Sequence, residues 1–100
     1  MENYKGQFHR EDGPAFEDKQ GYKSWWINGK RHREDGPAIE NSNSKVWMIN
    51  DKLHREDGPA AEYSDGSKSW YLKDTEYTEQ EYKFEMRSRK LKKLLVWKVN

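Results

Sequence analysis

His9-Arg10-Glu11-Asp12-Gly13-Pro14-Ala15 recurs unchanged at His32–Ala38 and at His54–Ala60, the copies starting 23 and then 22 residues apart. The likeness runs past the heptapeptide. Each Ala is followed by Phe16, Ile39 or Ala61, then by Glu17, Glu40 or Glu62, a polar turn, and Lys23, Lys45 or Lys68. Each unit then presents Trp25, Trp47 or Trp70, a second large residue (Trp26, Met48, Tyr71) and Ile27, Ile49 or Leu72. It closes on Asn28-Gly29, Asn50-Asp51 or Lys73-Asp74. The difference in length falls in the first turn, where Gly21 and Gly66 have no counterpart in the middle unit. A fixed period of this size marks a repeat architecture, in which each unit buries its apolar side only against its neighbours.

Between turn signals each unit holds two runs of about five residues, too short for helices and rich in aromatic and β-branched side chains. These predict strands at 14–18 and 23–27, 37–41 and 45–49, 59–63 and 68–72. Asn28-Gly29 and Asp65-Gly66 suit two-residue hairpins, because Asn, Asp and Gly tolerate positive φ. Pro14, Pro37 and Pro59 lack a ladder N–H, and the Gly before each can take unusual dihedrals. Asp-Gly-Pro is therefore the predicted corner where each unit begins again. Asn3–Phe8 reads as the worn tail of a preceding unit. Alternation along a strand puts Trp25 and Ile27 on one face and Trp26 on the other. Stacking then lines Trp25, Trp47 and Trp70 into one row, read as core and rimmed by Lys23, Lys45 and Lys68. Trp26, Met48 and Tyr71 form a row on the opposite face. An apolar row that nothing covers marks an interface, so these three are the predicted partner-binding residues.

The 100 residues accommodate one domain. Charged residues make up 37% and hydrophobic residues 32%, and Leu, Ile, Val and Phe together number only 14. Aliphatic content that low is usual for disordered chains. Against disorder stand a net charge of only +1 and a load of five Trp and six Tyr. The expected core is aromatic rather than aliphatic. No stretch approaches the roughly 20 apolar residues of a membrane span, and no basic-then-apolar leader opens the sequence. With no cysteine there is no disulfide, thiolate metal site or cysteine nucleophile. A cytoplasmic protein without cofactors is the expectation.

His9, His32 and His54, each beside Arg, Glu and Asp, invite a metal or acid–base reading. Equivalent positions of stacked hairpins lie two strands apart, roughly 9–10 Å, whereas two histidines sharing a zinc must each sit about 2 Å from it. Repetition itself favours structure, since a catalytic site needs one asymmetric constellation and a structural device is needed once per unit. His9, Arg10 and Asp12, His32, Arg33 and Asp35, and His54, Arg55 and Asp57 are thus predicted to build the corner. The arginines would pair with acids of a neighbouring unit in a charged ladder, and the aspartates would accept backbone N–H groups. No nucleophilic triad, phosphate-cradling glycine loop or H-E-x-x-H is present.

From Thr78 the pattern changes. Thr78-Glu79-Gln80-Glu81 is a capping box, and acids in the first turn give way to Arg87, Arg89, Lys90, Lys92 and Lys93. Phe84, Ser88, Leu91 and Leu95, with Leu94 alongside, fall on one stripe, predicting a helix over 79–93 that docks as a cap. Residues 94–99 suit either a helical extension or a strand. Residues 86–100 hold six basic residues and no acid, leaving −5 of the total +1 for residues 1–85. The five basic residues 87–93, with the repeat lysines Lys23, Lys45 and Lys68, are the candidate site for a phosphate-bearing ligand: a nucleotide, nucleic acid or anionic lipid. Nucleic acid is disfavoured, because the acidic body would repel the duplex that the tail attracts.

A period near 23, one hairpin per period, an aromatic on the second strand and a Gly-centred turn together resemble MORN (membrane occupation and recognition nexus) repeats. The likeness is closest to the divergent variety built on W-x-x-N-G-K-x-H-R-E-D-G-P-A, carried by small bacterial and bacteriophage proteins. It covers residues 1–75 and leaves 76–100 unexplained; Glu-Asp stands where the MORN motif has a second Gly. The resemblance implies stacked antiparallel hairpins in one elongated sheet, a mainly β fold used for binding and not for catalysis. It also implies a protein partner, a host protein if the chain is phage-borne. Self-association through an edge or the tail is a further expectation.

Overall fold

The computed structural model describes residues 1–99, with side chains placed through Leu95. Eleven short strands precede one helix: β1 Phe16–Glu17, β2 Lys23–Ser24, β3 Trp26–Ile27, β4 Lys30–Arg31, β5 Ile39–Glu40 and β6 Ser44–Val46. Then come β7 Met48–Ile49, β8 Lys52–Leu53, β9 Ala61–Tyr63, β10 Lys68–Leu72, β11 Thr75–Tyr77 and α1 Glu79–Val99. The main sheet has seven antiparallel strands in the order β1-β2-β5-β6-β9-β10-β11, and two small ribbons, β3-β4 and β7-β8, stand beside it. The extents of 49 × 37 × 19 Å are those of a single layer. The fold is mainly β, elongated and ended by a helix.

The strands predicted at 14–18, 37–41 and 59–63 shorten to 16–17, 39–40 and 61–63. The predicted strands 23–27 and 45–49 are not continuous. Each breaks at its first tryptophan, and the two halves pair in different directions. Trp25 N–H donates to Ala38 of the next unit while its carbonyl accepts from His32 N–H, and Trp47 does the same with Ala60 and His54. Ahead of the tryptophan the chain belongs to the main sheet; after it the chain folds back on itself as a ribbon. Only β10 runs through, pairing with β9 over its first half and with β11 over its second.

Every ribbon turn has both central residues at positive φ: Asn28 (47°) and Gly29 (78°), Asn50 (49°) and Asp51 (66°), Lys73 (47°) and Asp74 (68°). This two-residue geometry matches the twist of the flanking strands. Asp65-Gly66 departs from the two-residue expectation. Tyr63 N–H bonds to Ser67 O, so the loop has three residues, with Gly66 at φ 90° in the left-handed position. At the N-terminus a Glu2–Phe8 bridge closes around Gly6, in keeping with the tail of an earlier unit.

Register fixes two chemically different faces. On one, Glu17, Lys23, Glu40, Lys45, Glu62 and Lys68 oppose one another strand by strand, alternating in sign across six strands. Facing opposite charges contribute about 0.2–1 kcal/mol per pair. On the other, Phe16, Ser24, Ile39, Val46, Ala61 and Ser69 form the matching row. Buried apolar residues are few: Ala15, Ala38, Ala60, Ala61, Leu72 and Tyr82. The last residue of every heptapeptide is among them.

The helix opens with the reciprocal capping box, Thr78 N–H donating to Glu81 Oε1 at 2.9 Å and Glu81 N–H to Thr78 Oγ1 at 3.1 Å. It runs past residue 93 to Val99, so 94–99 continue it and do not return as a strand. The predicted docking stripe is overturned. Phe84, Leu91, Leu94 and Leu95 are 70, 55, 53 and 62% exposed, and the helix instead turns buried Tyr82 and half-buried Met86 towards the sheet. Its principal contacts are with β10 and β11.

Lys73 carries a positive φ without the local hydrogen bonding that lets asparagine rest there. Lys73→Asn, which restores the residue of the other two units, should raise stability by about 0.5–1 kcal/mol in urea denaturation. An unchanged or lower midpoint would show that this turn is not strained.

Candidate functional site

Each corner is a self-closed loop built by its arginine. Arg33 Nε donates to Asp35 Oδ1 at 3.1 Å and Nη1 to Pro37 O at 3.1 Å, with Glu40 3.5 Å from Nη1. Arg55 repeats this with Asp57 (2.9 Å), Pro59 O (3.0 Å) and Glu62 (3.2 Å), and Arg10 with Asp12 (2.9 Å) and Pro14 O (3.3 Å). The Arg10 guanidinium holds the Asp12 carboxyl below the usual carboxylate range. The expectation that arginines pair with acids of a neighbouring unit is corrected: every partner lies in the arginine's own unit. Nor do the aspartates chiefly receive backbone N–H groups; the guanidinium is nearer and charged, which makes the stronger hydrogen bond.

The glycine of Asp-Gly-Pro is needed for space rather than for unusual dihedrals. A Cβ on Gly36 would stand 2.7 Å from Arg33 Cζ, and Gly13 and Gly58 would meet Arg10 and Arg55 at 3.1 and 3.0 Å. None of the three has a positive φ.

What crosses between units is the flat side of the guanidinium. Arg33 Cζ lies 3.9 Å from the centroid of the Trp25 ring and Arg55 Cζ 3.7 Å from Trp47, each arginine reaching the tryptophan of the unit before it. Such stacks contribute about 0.5–2 kcal/mol, more as water is excluded. The spacing was visible in the sequence: Trp25 to Arg33 and Trp47 to Arg55 are both eight residues. Eight residues after Trp70 stands Thr78, the helix cap, so the last tryptophan has no such arginine.

The histidines close each unit on itself, tying its corner to its own ribbon turn through the ring. His9 Nδ1 accepts Asn28 N–H at 3.0 Å, His32 Nδ1 accepts Asn50 N–H at 3.1 Å, and His54 Nδ1 accepts Lys73 N–H at 3.0 Å. Each Nε2 faces a glutamate two residues on, Glu11, Glu34 or Glu56, at 3.5–3.8 Å. Among the described residues, no group of three or more His, Asp or Glu is arranged to hold a metal ion.

Two like grooves follow on the charged face. One runs between the first and second corners over Trp25 and Ile27; the next runs between the second and third over Trp47 and Ile49. On the opposite face lie the predicted partner-binding residues, one per unit. Trp26 is half-buried, its ring 5.4 Å from Phe8 and under Arg31 at 4.8 Å, with Nε1 donating to Ser24 Oγ at 2.8 Å. Arg31 Nε is buried there and has no hydrogen-bond partner among the described residues. Met48 faces Leu53 and Tyr71 faces Glu76, both half-buried, and burial with Glu76 nearby pushes the Tyr71 hydroxyl pKa up. Phe8 and Phe16, at 40 and 39% exposure, extend this row with edge-on contacts to each other and to Tyr22.

The basic residues of α1 are dispersed around the helix. Arg89 is tied to Glu85 at 2.9 Å, which raises its pKa further, whereas Arg87, Lys90, Lys92 and Lys93 have no carboxylate partner among the described residues. Among the described residues, no helix is long and apolar enough to cross a membrane. No family model, curated protein or solved structure matches the chain.

Sequence reasoning missed Tyr82, which closes the array. Its hydroxyl donates to the Arg55 carbonyl at 2.5 Å and accepts from Gly58 N–H at 3.4 Å. Burial is the largest cause of its raised pKa. A tyrosine whose folded pKa lies above the unfolded value of about 10 gives stability that is complete below pH 10 and is lost as pH rises through the folded pKa. Tyr82→Phe should therefore cost about 1–3 kcal/mol at pH 7, and its deficit against the parent should shrink above pH 10. Denaturation at pH 7, 9 and 11 checks this; a deficit that stays constant to pH 11 would contradict the assignment.

Proposed function

We propose that the chain is a non-enzymatic protein-interaction module made of MORN-like hairpin repeats, acting in the cytoplasm, and in the host cytoplasm if phage-borne. The observation that carries the reading is a single-layer sheet whose Trp26, Met48 and Tyr71 row is apolar, half-exposed and left uncovered by α1 over units one and two. Contiguous apolar surface of this kind is costly in water and serves as a binding face. The corner residues support the same reading, since the arginine and aspartate side chains are consumed in holding their own loop together.

A second reading rests on Arg87, Lys90, Lys92 and Lys93, whose charges lack carboxylate partners among the described residues and alternate with exposed Leu91, Leu94 and Leu95. Such a surface suits a phosphate-bearing ligand. Salt separates the two. Binding through several phosphates weakens by orders of magnitude between about 50 and 200 mM salt, whereas an aromatic interface changes little.

The test is affinity capture from the native cells, followed by titration of the purified partner against Met48→Lys/Tyr71→Ala. Trp26 is kept because its stack with Phe8 and Arg31 supports the fold. The variant should melt cooperatively and bind at least about tenfold more weakly. Undiminished binding would remove this face as the working surface.

A further inference from the structure

The two grooves on the charged face and the seat of Tyr82 are successive positions of one series. Tyr77 and Thr78 occupy the register of His54 and Arg55, so α1 begins where a fourth corner would begin. Tyr82 therefore fills the third place of the series, with its hydroxyl on the Arg55 carbonyl and Gly58 N–H of the third corner. In the first and second corners the same backbone pair, Arg10 O with Gly13 N–H and Arg33 O with Gly36 N–H, has no protein hydrogen-bond partner among the described residues.

We propose that the two open grooves are binding sites for a tyrosine side chain presented by a basic segment of a partner protein. The proposal rests on the protein-interaction reading but uses the opposite face of the sheet. Three observations select this occupant. A carbonyl and an N–H set three residues apart call for one group that both donates and accepts, which a hydroxyl does and a carboxylate or ammonium does not. Each groove is lined by Trp25 with Ile27 or Trp47 with Ile49, the indole shared with the guanidinium of the next corner, a mixed apolar and cationic lining against which an aromatic ring packs. With Asp12 and Asp35 paired to Arg10 and Arg33, the rims keep Glu11 and Glu34, which favour cationic neighbours. The chain's own segment has this chemistry, since Glu56 of the third corner lies beside Arg87, Arg89 and Lys90 of α1. An acidic rim also repels a phosphorylated tyrosine, which in addition has lost its donor hydrogen.

The probe is a synthetic peptide copying residues 78–95, titrated into the intact ¹⁵N-labelled chain, whose third place is already filled. The Gly13 and Gly36 amides should shift with saturation at two equivalents. The Tyr82→Phe peptide should bind at least about tenfold more weakly, as the loss of the hydroxyl's two hydrogen bonds requires, and the phosphotyrosine peptide should not bind. Shifts confined to Gly58, equal binding of the phenylalanine peptide, or no binding would each overturn the proposal. The aromatic row is untouched by this peptide, so failure here leaves the Met48/Tyr71 test standing, and the reverse also holds.

Discussion

The guanidinium of the second and third corners, set over the tryptophan of the preceding unit, is the contact on which the array depends. Arg33 closes its own loop through Asp35, Pro37 and Glu40 and at the same time roofs Trp25. One side chain thereby sets the shape of a unit and the distance to its neighbour. It also dictates composition. Glycine precedes proline where a Cβ would crowd the guanidinium, most tightly at Gly36, and lysine could not serve, having neither the planar fork nor the stacking face.

This division of labour explains a fold with so little aliphatic core. Only six apolar residues among the described ones are buried, three of them the alanines that end the heptapeptides. Indole and guanidinium stacks, imidazole–backbone bonds and an alternating Glu/Lys ladder supply what packed leucines supply elsewhere. The stacks and the ladder pairs Lys23–Glu40 and Lys45–Glu62 join nearest neighbours, as in other linear repeats, so the ends need separate treatment. At the C-terminal end Thr78 replaces the arginine, starts a helix and brings Tyr82 onto the last corner. A polar corner thus ends the series with a hydroxyl rather than with an apolar plug.

What was legible in the sequence was what is decided locally. The heptapeptide gave the period, Asn28-Gly29 a two-residue turn, and Thr78 to Glu81 a capping box, because neighbouring residues settle each of these. The break at Trp25 was not legible, since it depends on Ala38 of the next unit taking the Trp25 N–H. The destination of the arginines was misjudged for a similar reason: residue type predicts an acid partner but not whether it lies within the unit or across it. The helix face was misjudged because the most apolar stripe was taken as the buried one. The cap fixes where the first turn begins, and the hydrogen bonds of Tyr82 then outrank Phe84 and Leu91. Trp26, Met48 and Tyr71 fall in three separate pairings, β3-β4, β7-β8 and β10-β11, and Trp26 is held by Phe8 and Arg31 and is less free than alternation alone suggests.

The most direct test of the central claim is a double-mutant cycle on Arg33 and Trp25, read by urea denaturation of the parent, Arg33→Met, Trp25→Leu and the double variant. Arg33→Met removes the hydrogen bonds within its loop in both halves of the cycle, so the coupling isolates the stack between units. The account predicts a favourable coupling of about 1 kcal/mol or more. A coupling within about 0.3 kcal/mol of zero, the range of independent sites, would contradict it.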